Sequence, residues 1–206
     1  MQDRKNIIKR VENNKEKELT YRNYIKRFND ARRSKFYLEA LWVLYAMLED
    51  RTSSLIYYLG FTSNDDRNAV TRSSKIRKQI REIFNMQKST DKYGFNTFSG
   101  KLKRIKRFID WSKIDNESKY DFMIAIKKIA IKLAKKEEFI KYLDYLNDEW
   151  RIKRNQLTHS LFNKNSEAVY AELELLVDYG FQAARCIDKI VTQIKKIKIR
   201  ETFRIL

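Results

Sequence analysis

Apolar residues recur along most of this chain at intervals of three and four positions, the spacing of one face of an α-helix. The strongest example begins at about Ser34 and ends at Gly60, a residue type that favours helix C-termini. Its apolar positions are Leu38, Leu41, Tyr45, Leu48, Leu55 and Leu59, with Trp42 and Leu44 widening the apolar face. This pattern predicts the central core helix of the fold.

Weaker versions of the same pattern predict further helices on both sides of this one. They cover residues up to about 29, then about 76–84, 102–109, 118–133, 138–162 and 169–197. The chain has no proline and only four glycines, so long helices are not interrupted. The sequence therefore predicts an all-α bundle of five to seven helices that forms one unit over residues 1–206. We expect the first dozen residues to be loose and residues 87–100 to form a flexible loop.

Composition excludes several classes of site. A single cysteine, Cys186, cannot form an internal disulfide, and a single histidine leaves no Cys/His cluster for zinc. Phosphate-binding glycine loops and nucleophile elbows are absent from the sequence, and we expect neither a metal nor a cofactor. The N-terminus lacks a signal-peptide pattern, and the longest apolar run, 40–48, is too short to span a bilayer. These features predict a cytoplasmic protein without a membrane partner.

The formal net charge of +18 predicts an anionic partner, first of all RNA, since a basic surface attracts polyanions. The alternative is that solvated lysines merely cover helix surfaces. The candidate RNA-binding residues are Lys101, Lys103, Arg104, Lys106, Arg107, Arg151 and Lys153, and a second basic group lies at Lys195, Lys196, Lys198 and Arg200.

A charged residue interrupts the apolar stripe of the predicted helix at 138–162. The stripe consists of Leu143, Leu146, Trp150, Leu157 and Leu161, and Arg154 occupies the position between Trp150 and Leu157. Burying an unpaired guanidinium is costly, so Arg154 needs an acidic partner, an anionic ligand or an opening in the stripe. Glu49 or Asp50 could supply the acid from the central helix. A purely structural alternative is stacking of Arg154 on Trp150 as a cation–π pair.

The only histidine of the chain, His159, follows Arg154 by five positions in the segment Arg154-Asn155-Gln156-Leu157-Thr158-His159. This segment resembles the signature of the HEPN superfamily (higher eukaryotes and prokaryotes nucleotide-binding domains), in which an arginine, often followed by a polar residue, precedes a histidine by a short spacer. Members of that family are small helical bundles with the motif on a late helix. Leu161 stands where some members carry a tyrosine.

The resemblance implies a ribonuclease used in toxin, abortive-infection or CRISPR-linked defence, with two motifs paired across a homodimer. The residue types suit that chemistry. A neutral His159 imidazole can remove the proton of an RNA 2′-OH, while the Arg154 guanidinium stabilises charge on the phosphate. Asn155 would orient the histidine or the phosphate by hydrogen bonding. The expected products are a 2′,3′-cyclic phosphate and a 5′-hydroxyl, with no metal required.

Helix geometry places Arg154 and His159 about 140° apart around an ideal helix. They can meet only if the helix is irregular, if the long Arg154 side chain wraps round it, or if a second chain completes the site. Ile152 and Phe162 share the His159 side and would fit a dimer interface if they are exposed.

Two other functions remain open from the sequence. One is a catalytically silent helical module that binds RNA or a protein through its basic surface. The other is an interaction subunit with an acidic protein partner, such as an antitoxin or another protein of a defence system.

Overall fold

The structure, a computed structural model, describes residues 14–86, 93–114, 119–160 and 165–205. These residues form an all-α bundle, as the periodicity predicts. Its helices are α1 (Asn14–Arg33), α2 (Tyr37–Tyr58), α3 (Ser74–Ile83), α4 (Phe98–Trp111), α5 (Asp121–Ala134), α6 (Glu137–Tyr145), α7 (Arg151–Ser160), α8 (Ser166–Lys195) and the short α9 (Ile199–Thr202). A π-helical turn, Leu146–Trp150, joins α6 to α7 without a break. If α6 and α7 are taken as one irregular helix, seven helices precede the short α9, so the predicted number of five to seven is confirmed.

The core forms around α2 and α8, which share the largest helix–helix interface of the described residues. Leu44 and Leu48 of α2 are fully buried, as is Ile187 of α8. Gly180 lies where α8 comes closest to its neighbours, because a Cβ atom placed there would be 2.7 Å from Leu44 Cδ2. The missing side chain of Gly180 thus allows a close helix crossing.

The end of α2 is determined by one residue. Gly60 has a φ of +82°, a left-handed conformation that glycine adopts without strain. The Phe61 N–H donates to the Ile56 carbonyl at 3.2 Å and the Gly60 N–H donates to the Tyr57 carbonyl at 2.9 Å, which is a Schellman motif. The predicted stop at Gly60 is therefore confirmed.

The predicted loop at 87–100 is too long at its C-terminal end. Thr97 caps α4, accepting a hydrogen bond from the Gly100 N–H at 3.1 Å, so the helix already begins at Phe98. Gly100 lies in the first turn of α4, and the Gly94 carbonyl packs directly against it. A Cβ atom would have no room there, so this position of the helix requires glycine. The rest of the predicted loop at 87–92, and the N-terminal residues 1–13, lie outside the described residues.

No helix in the described ranges combines the length and the apolar character needed to cross a membrane.

Candidate functional site

The candidate site lies on α7, directly after the π-helical turn. A π turn inserts an extra residue into a helix and rotates the residues that come after it, and such turns are frequent at functional sites. Trp150 ends the turn and is completely buried, with its indole N–H donating to the Leu176 carbonyl of α8 at 2.8 Å. Its ring also packs edge-on against Phe98, with ring centroids 6.3 Å apart. Trp150 therefore fixes the start of α7, one helical turn before Arg154.

The apolar stripe predicted on this helix is buried, with Arg154 as its exception. Leu143, Leu146, Trp150 and Leu157 are all buried, whereas Arg154 is only half-buried. Leu161 falls in 161–164, outside the described residues. The stripe therefore opens at Arg154.

The Arg154 guanidinium is held by an aromatic ring and by its neighbour in sequence. Its central carbon lies 4.1 Å from the centroid of the Tyr45 ring, and 5.9 Å from that of Trp150. The cation–π contact with Trp150, which was the structural alternative for Arg154, is present, but Tyr45 is the closer ring. The Asn155 Oδ1 atom accepts hydrogen bonds from Arg154 Nη2 at 2.6 Å and from Nε at 3.2 Å.

These contacts turn the arginine around the helix towards the histidine. Asn155 is one position, or about 100°, further round the helix than Arg154 and shares a face with His159. Arg154, Asn155 and His159 consequently line one cleft of about 240 Å³ between α7 and α2. The two motif residues therefore line the same cleft within a single chain.

The acids predicted to support Arg154 do not pair with it. Glu49 forms an ion pair with Lys101 Nζ at 2.5 Å, and no carboxylate among the described residues lies within ion-pair distance of Arg154. Glu49 instead influences Tyr45, the residue on whose ring Arg154 packs. Burial raises the pKa of Tyr45, the nearby Arg154 guanidinium lowers it, and the Glu49 carboxylate raises it. Asp50 lies elsewhere, 3.6 Å from Arg51 in the closest approach of their charged groups.

One predicted RNA contact is wrong. Lys101 has only 2% of its surface exposed, because its ammonium group is buried against Glu49. A buried lysine paired in this way holds α4 to α2 and cannot reach an RNA backbone. Its basic neighbours in sequence had made it look like a surface residue.

The other basic candidates on α4 differ in how far they are engaged. Lys106 pairs with Asp144 at 2.6 Å, and the Arg104 Nε–H donates to the Tyr93 carbonyl at 2.6 Å. Lys103 and Arg107 are exposed, with no ion pair to any described residue.

Two further candidates precede Arg154 on α7. Arg151 is half-buried, and its Nε forms no hydrogen bond with the residues that the structure describes. Lys153 is exposed, 3.6 Å from Glu149.

In the second basic group, Arg200 has a structural role. Its guanidinium donates to the Thr62 carbonyl at 2.7 Å and to Asn64 Oδ1 at 2.6 Å, and it packs over the Tyr57 ring. Burial lowers its pKa. It ties the C-terminal residues to the segment after α2.

Asn155 has a different partner from the one expected. Its side-chain oxygen accepts hydrogen bonds from Arg154 rather than bonding to His159, and the amide NH₂ is the remaining donor of this side chain. His159 is exposed, and its imidazole forms no hydrogen bond with the described residues. The arginine is therefore positioned by side chains of this structure, while no side chain among the described residues hydrogen-bonds to the histidine ring.

Sequence reasoning missed the opposite wall of the cleft, which Leu38, Leu41, Trp42 and Tyr45 of α2 supply. Trp42 was expected to widen the apolar face of the core helix, but 70% of its surface is exposed. The position of Trp42 in the sequence could have indicated its exposure. Trp42 lies at the edge of the stripe, one turn after Leu38 and one turn before Tyr45, where a helix face passes from core to surface.

No group of three or more His, Cys, Asp or Glu side chains within the described ranges is arranged to hold a metal ion. No protein-family model matches this sequence, and neither a curated protein nor a solved structure matches it.

Proposed function

We propose that this chain is an endoribonuclease of the HEPN type, which cleaves RNA in the cleft between α2 and α7. One observation carries the proposal: Arg154, Asn155 and His159 line the same solvent-open cleft, although an ideal helix would separate the arginine and the histidine by about 140°. The arginine in that cleft has no carboxylate partner among the described residues and retains N–H donors for an anion.

In the proposed reaction the neutral imidazole of His159 removes the proton from a ribose 2′-OH. The 2′ oxygen then forms a bond to the adjacent phosphorus, the bond from phosphorus to the 5′ oxygen breaks, and the leaving oxygen takes up a proton from water, while the proton on His159 is released to solvent. The products are a 2′,3′-cyclic phosphate and a 5′-hydroxyl. Because the RNA supplies the nucleophile and the side chains supply the base and the cation, the proposed reaction uses no metal ion.

Arg154 stabilises the negative charge that develops on the phosphoryl oxygens, for which a planar guanidinium is well suited. Its packing on Tyr45 and its hydrogen bonds to Asn155 hold it in place before substrate binds. The Asn155 amide NH₂ is a second donor to the phosphate.

A homodimer forms part of the proposal. Ile152 is 42% exposed and lies seven positions before His159, on the same side of α7, where a second chain could cover both. Phe162, the other residue expected at such an interface, lies outside the described residues. A partner chain would also supply the group that orients the His159 ring. A monomeric molar mass for the active protein in solution would remove this part of the proposal.

The biological setting, a cytoplasmic defence or toxin role with an antitoxin or another defence protein as partner, is proposed from the resemblance of the motif. Growth arrest on expression of the natural protein, absent with His159→Ala, would support it. Equal growth with both proteins at equal levels would count against it.

A catalytically silent RNA-binding module is the second candidate. It is favoured by the exposed His159 ring, which no described residue orients. Replacing the ribose at a mapped cleavage position with 2′-deoxyribose separates the two functions. The ribonuclease proposal requires that natural RNA is cut there to a cyclic phosphate end and that the substituted RNA is not. Cleavage at the substituted position would contradict the mechanism.

A further inference from the structure

The two walls of the cleft differ in chemistry. The α7 wall is polar and cationic, with Arg154, Asn155, Thr158 and His159, whereas the α2 wall is apolar and aromatic, with Leu38, Leu41, Trp42 and Tyr45. A nucleotide has the same division, since a charged phosphate and a polar ribose are joined to a flat base with two apolar faces. The α7 wall already has its proposed role, and the α2 wall has none.

Trp42 is the most exposed large apolar side chain of the described residues, at 70%. The other two tryptophans, Trp111 and Trp150, are buried at 5% and 0%. Tyr45 cannot offer the face on which Arg154 lies, so Trp42 is the free aromatic surface of this cleft. An indole held on a rigid helix beside a cation is a suitable platform for a planar ligand.

Charge and size indicate the nature of that ligand. The cleft contains a guanidinium without a carboxylate partner among the described residues, in a chain of net charge +18, which favours an anionic ligand over an apolar peptide. Its volume of about 240 Å³ is smaller than the roughly 300–1,000 Å³ of pockets that enclose drug-sized ligands, which suits one nucleotide of a longer strand.

We propose that Trp42 stacks on an unpaired base of single-stranded RNA next to the phosphate held by Arg154. The inference rests on the proposed function for the identity of the RNA, and it adds the substrate class. A base can reach the indole only if it leaves its neighbours in a helix, so the cleft selects single-stranded over double-stranded RNA.

Tryptophan fluorescence tests this stacking directly, because nucleobases quench an indole on which they stack and the other two indoles are buried. The probe is a single-stranded oligonucleotide with 2′-O-methyl groups throughout, which lacks the proposed nucleophile and stays intact. We expect binding of this probe to quench the emission of the natural protein. The same probe annealed to its complement should bind more weakly and quench less.

Variants give the size of the effect. Trp42→Ala should weaken binding of the single-stranded probe about 10-fold, within the roughly five- to 150-fold range of base–aromatic stacking, and Trp42→Phe should lose less. Tyr24→Ala is the matched control, because Tyr24 is an exposed aromatic residue that lines a different cleft. Labelled-probe anisotropy measures affinity in every variant, and circular dichroism checks folding.

Unchanged emission at saturating probe would overturn the proposal. So would a Trp42→Ala protein that binds the probe within twofold of the natural protein. If the molar mass of that variant also changes, Trp42 belongs to a protein interface instead. Cleavage is scored separately. Quenching without any cleavage would overturn the ribonuclease proposal alone, and cleavage that depends on His159 with no role for Trp42 would overturn the stacking proposal alone.

Discussion

Arg154 and Lys101 illustrate how two cations in the same part of a bundle acquire opposite roles. Lys101 is buried and pairs with Glu49, whereas Arg154 packs on the Tyr45 ring and opens into a cleft. Glu49 is the direct partner of the lysine, and its carboxylate also raises the pKa of Tyr45, the residue on whose ring Arg154 packs. Neutralising this acid with a buried lysine leaves the arginine free for an anionic ligand, which is the electrostatic basis of the proposed site.

Lys101→Met tests the structural role of this lysine. Removing the lysine leaves the Glu49 carboxylate, which is 30% exposed, without its partner, so we expect a loss of about 2 kcal/mol in the free energy of unfolding. Urea denaturation measures it. Lys103→Met, two positions away on the exposed side of α4, is the control and should change stability by less than about 0.5 kcal/mol. A stable Lys101→Met protein with weakened RNA binding would restore Lys101 as an RNA contact.

The site is positioned by the irregular helix that runs from α6 to α7 and by the crossing of this helix with α8. Gly180 lets Trp150 approach α8 closely, since an added Cβ would lie 2.7 Å from the indole nitrogen. The indole in turn bonds to the α8 backbone and fixes the π turn before Arg154. A small residue in one helix thus determines where a charged residue in another helix lies.

Gly180→Ala tests this crossing. Alanine has the higher helix propensity by about 1 kcal/mol, but overpacking against Leu44 and Trp150 costs roughly 1–3 kcal/mol, so we expect a net loss of about 1 kcal/mol in unfolding free energy. Arg185→Ala, at an exposed position of α8, is the control for alanine in this helix. If Gly180→Ala proves as stable as the natural protein, the close contact with Trp150 does not position α7.

The fold class could be predicted from helical periodicity and from the absence of proline, and the role of Gly60 at the end of α2 could be predicted from its residue type alone. The π turn could not be predicted, because no residue type encodes it and it depends on how Trp150 packs against α8. The α7 wall of the site could be predicted, since a lone histidine after an arginine in an apolar stripe is conspicuous. The α2 wall could not be predicted, because Trp42 resembles its buried neighbours in residue type and differs from them only in lying on the solvent-facing side of α2.

Alkaline pH should destabilise the whole bundle. Burial raises the pKa of Tyr145 to about 12, from 10.0 for a free tyrosine, and it also raises the pKa of Tyr21 and Tyr93. The folded state therefore holds these protons more tightly than the unfolded state. Their contribution to stability is complete below about pH 10 and is lost as the pH rises towards 12.

Urea denaturation at several pH values between about 8 and 12 measures this loss. Tyr145→Phe keeps the ring contact with Tyr179 but removes the ionising hydroxyl, so its stability should fall less steeply with pH. Tyr170→Phe, which removes a hydroxyl from an exposed ring, is the matched control. Identical slopes for the natural protein and Tyr145→Phe would contradict the prediction.

Comparing cleavage by single-residue variants shows whether Arg154 and His159 act together on RNA. Single-stranded RNA of mixed sequence is incubated in EDTA with the natural protein, Arg154→Ala, His159→Ala and the control Arg72→Ala. Arg72 is an exposed arginine in the segment after α2, beyond the end of that helix furthest from the cleft. We predict that the natural protein and the control cleave the RNA, while each site variant is folded and at least about 100-fold slower. Cleavage by both site variants at the natural rate, or RNA binding by the natural protein without any cleavage, would contradict a joint role of Arg154 and His159 in catalysis.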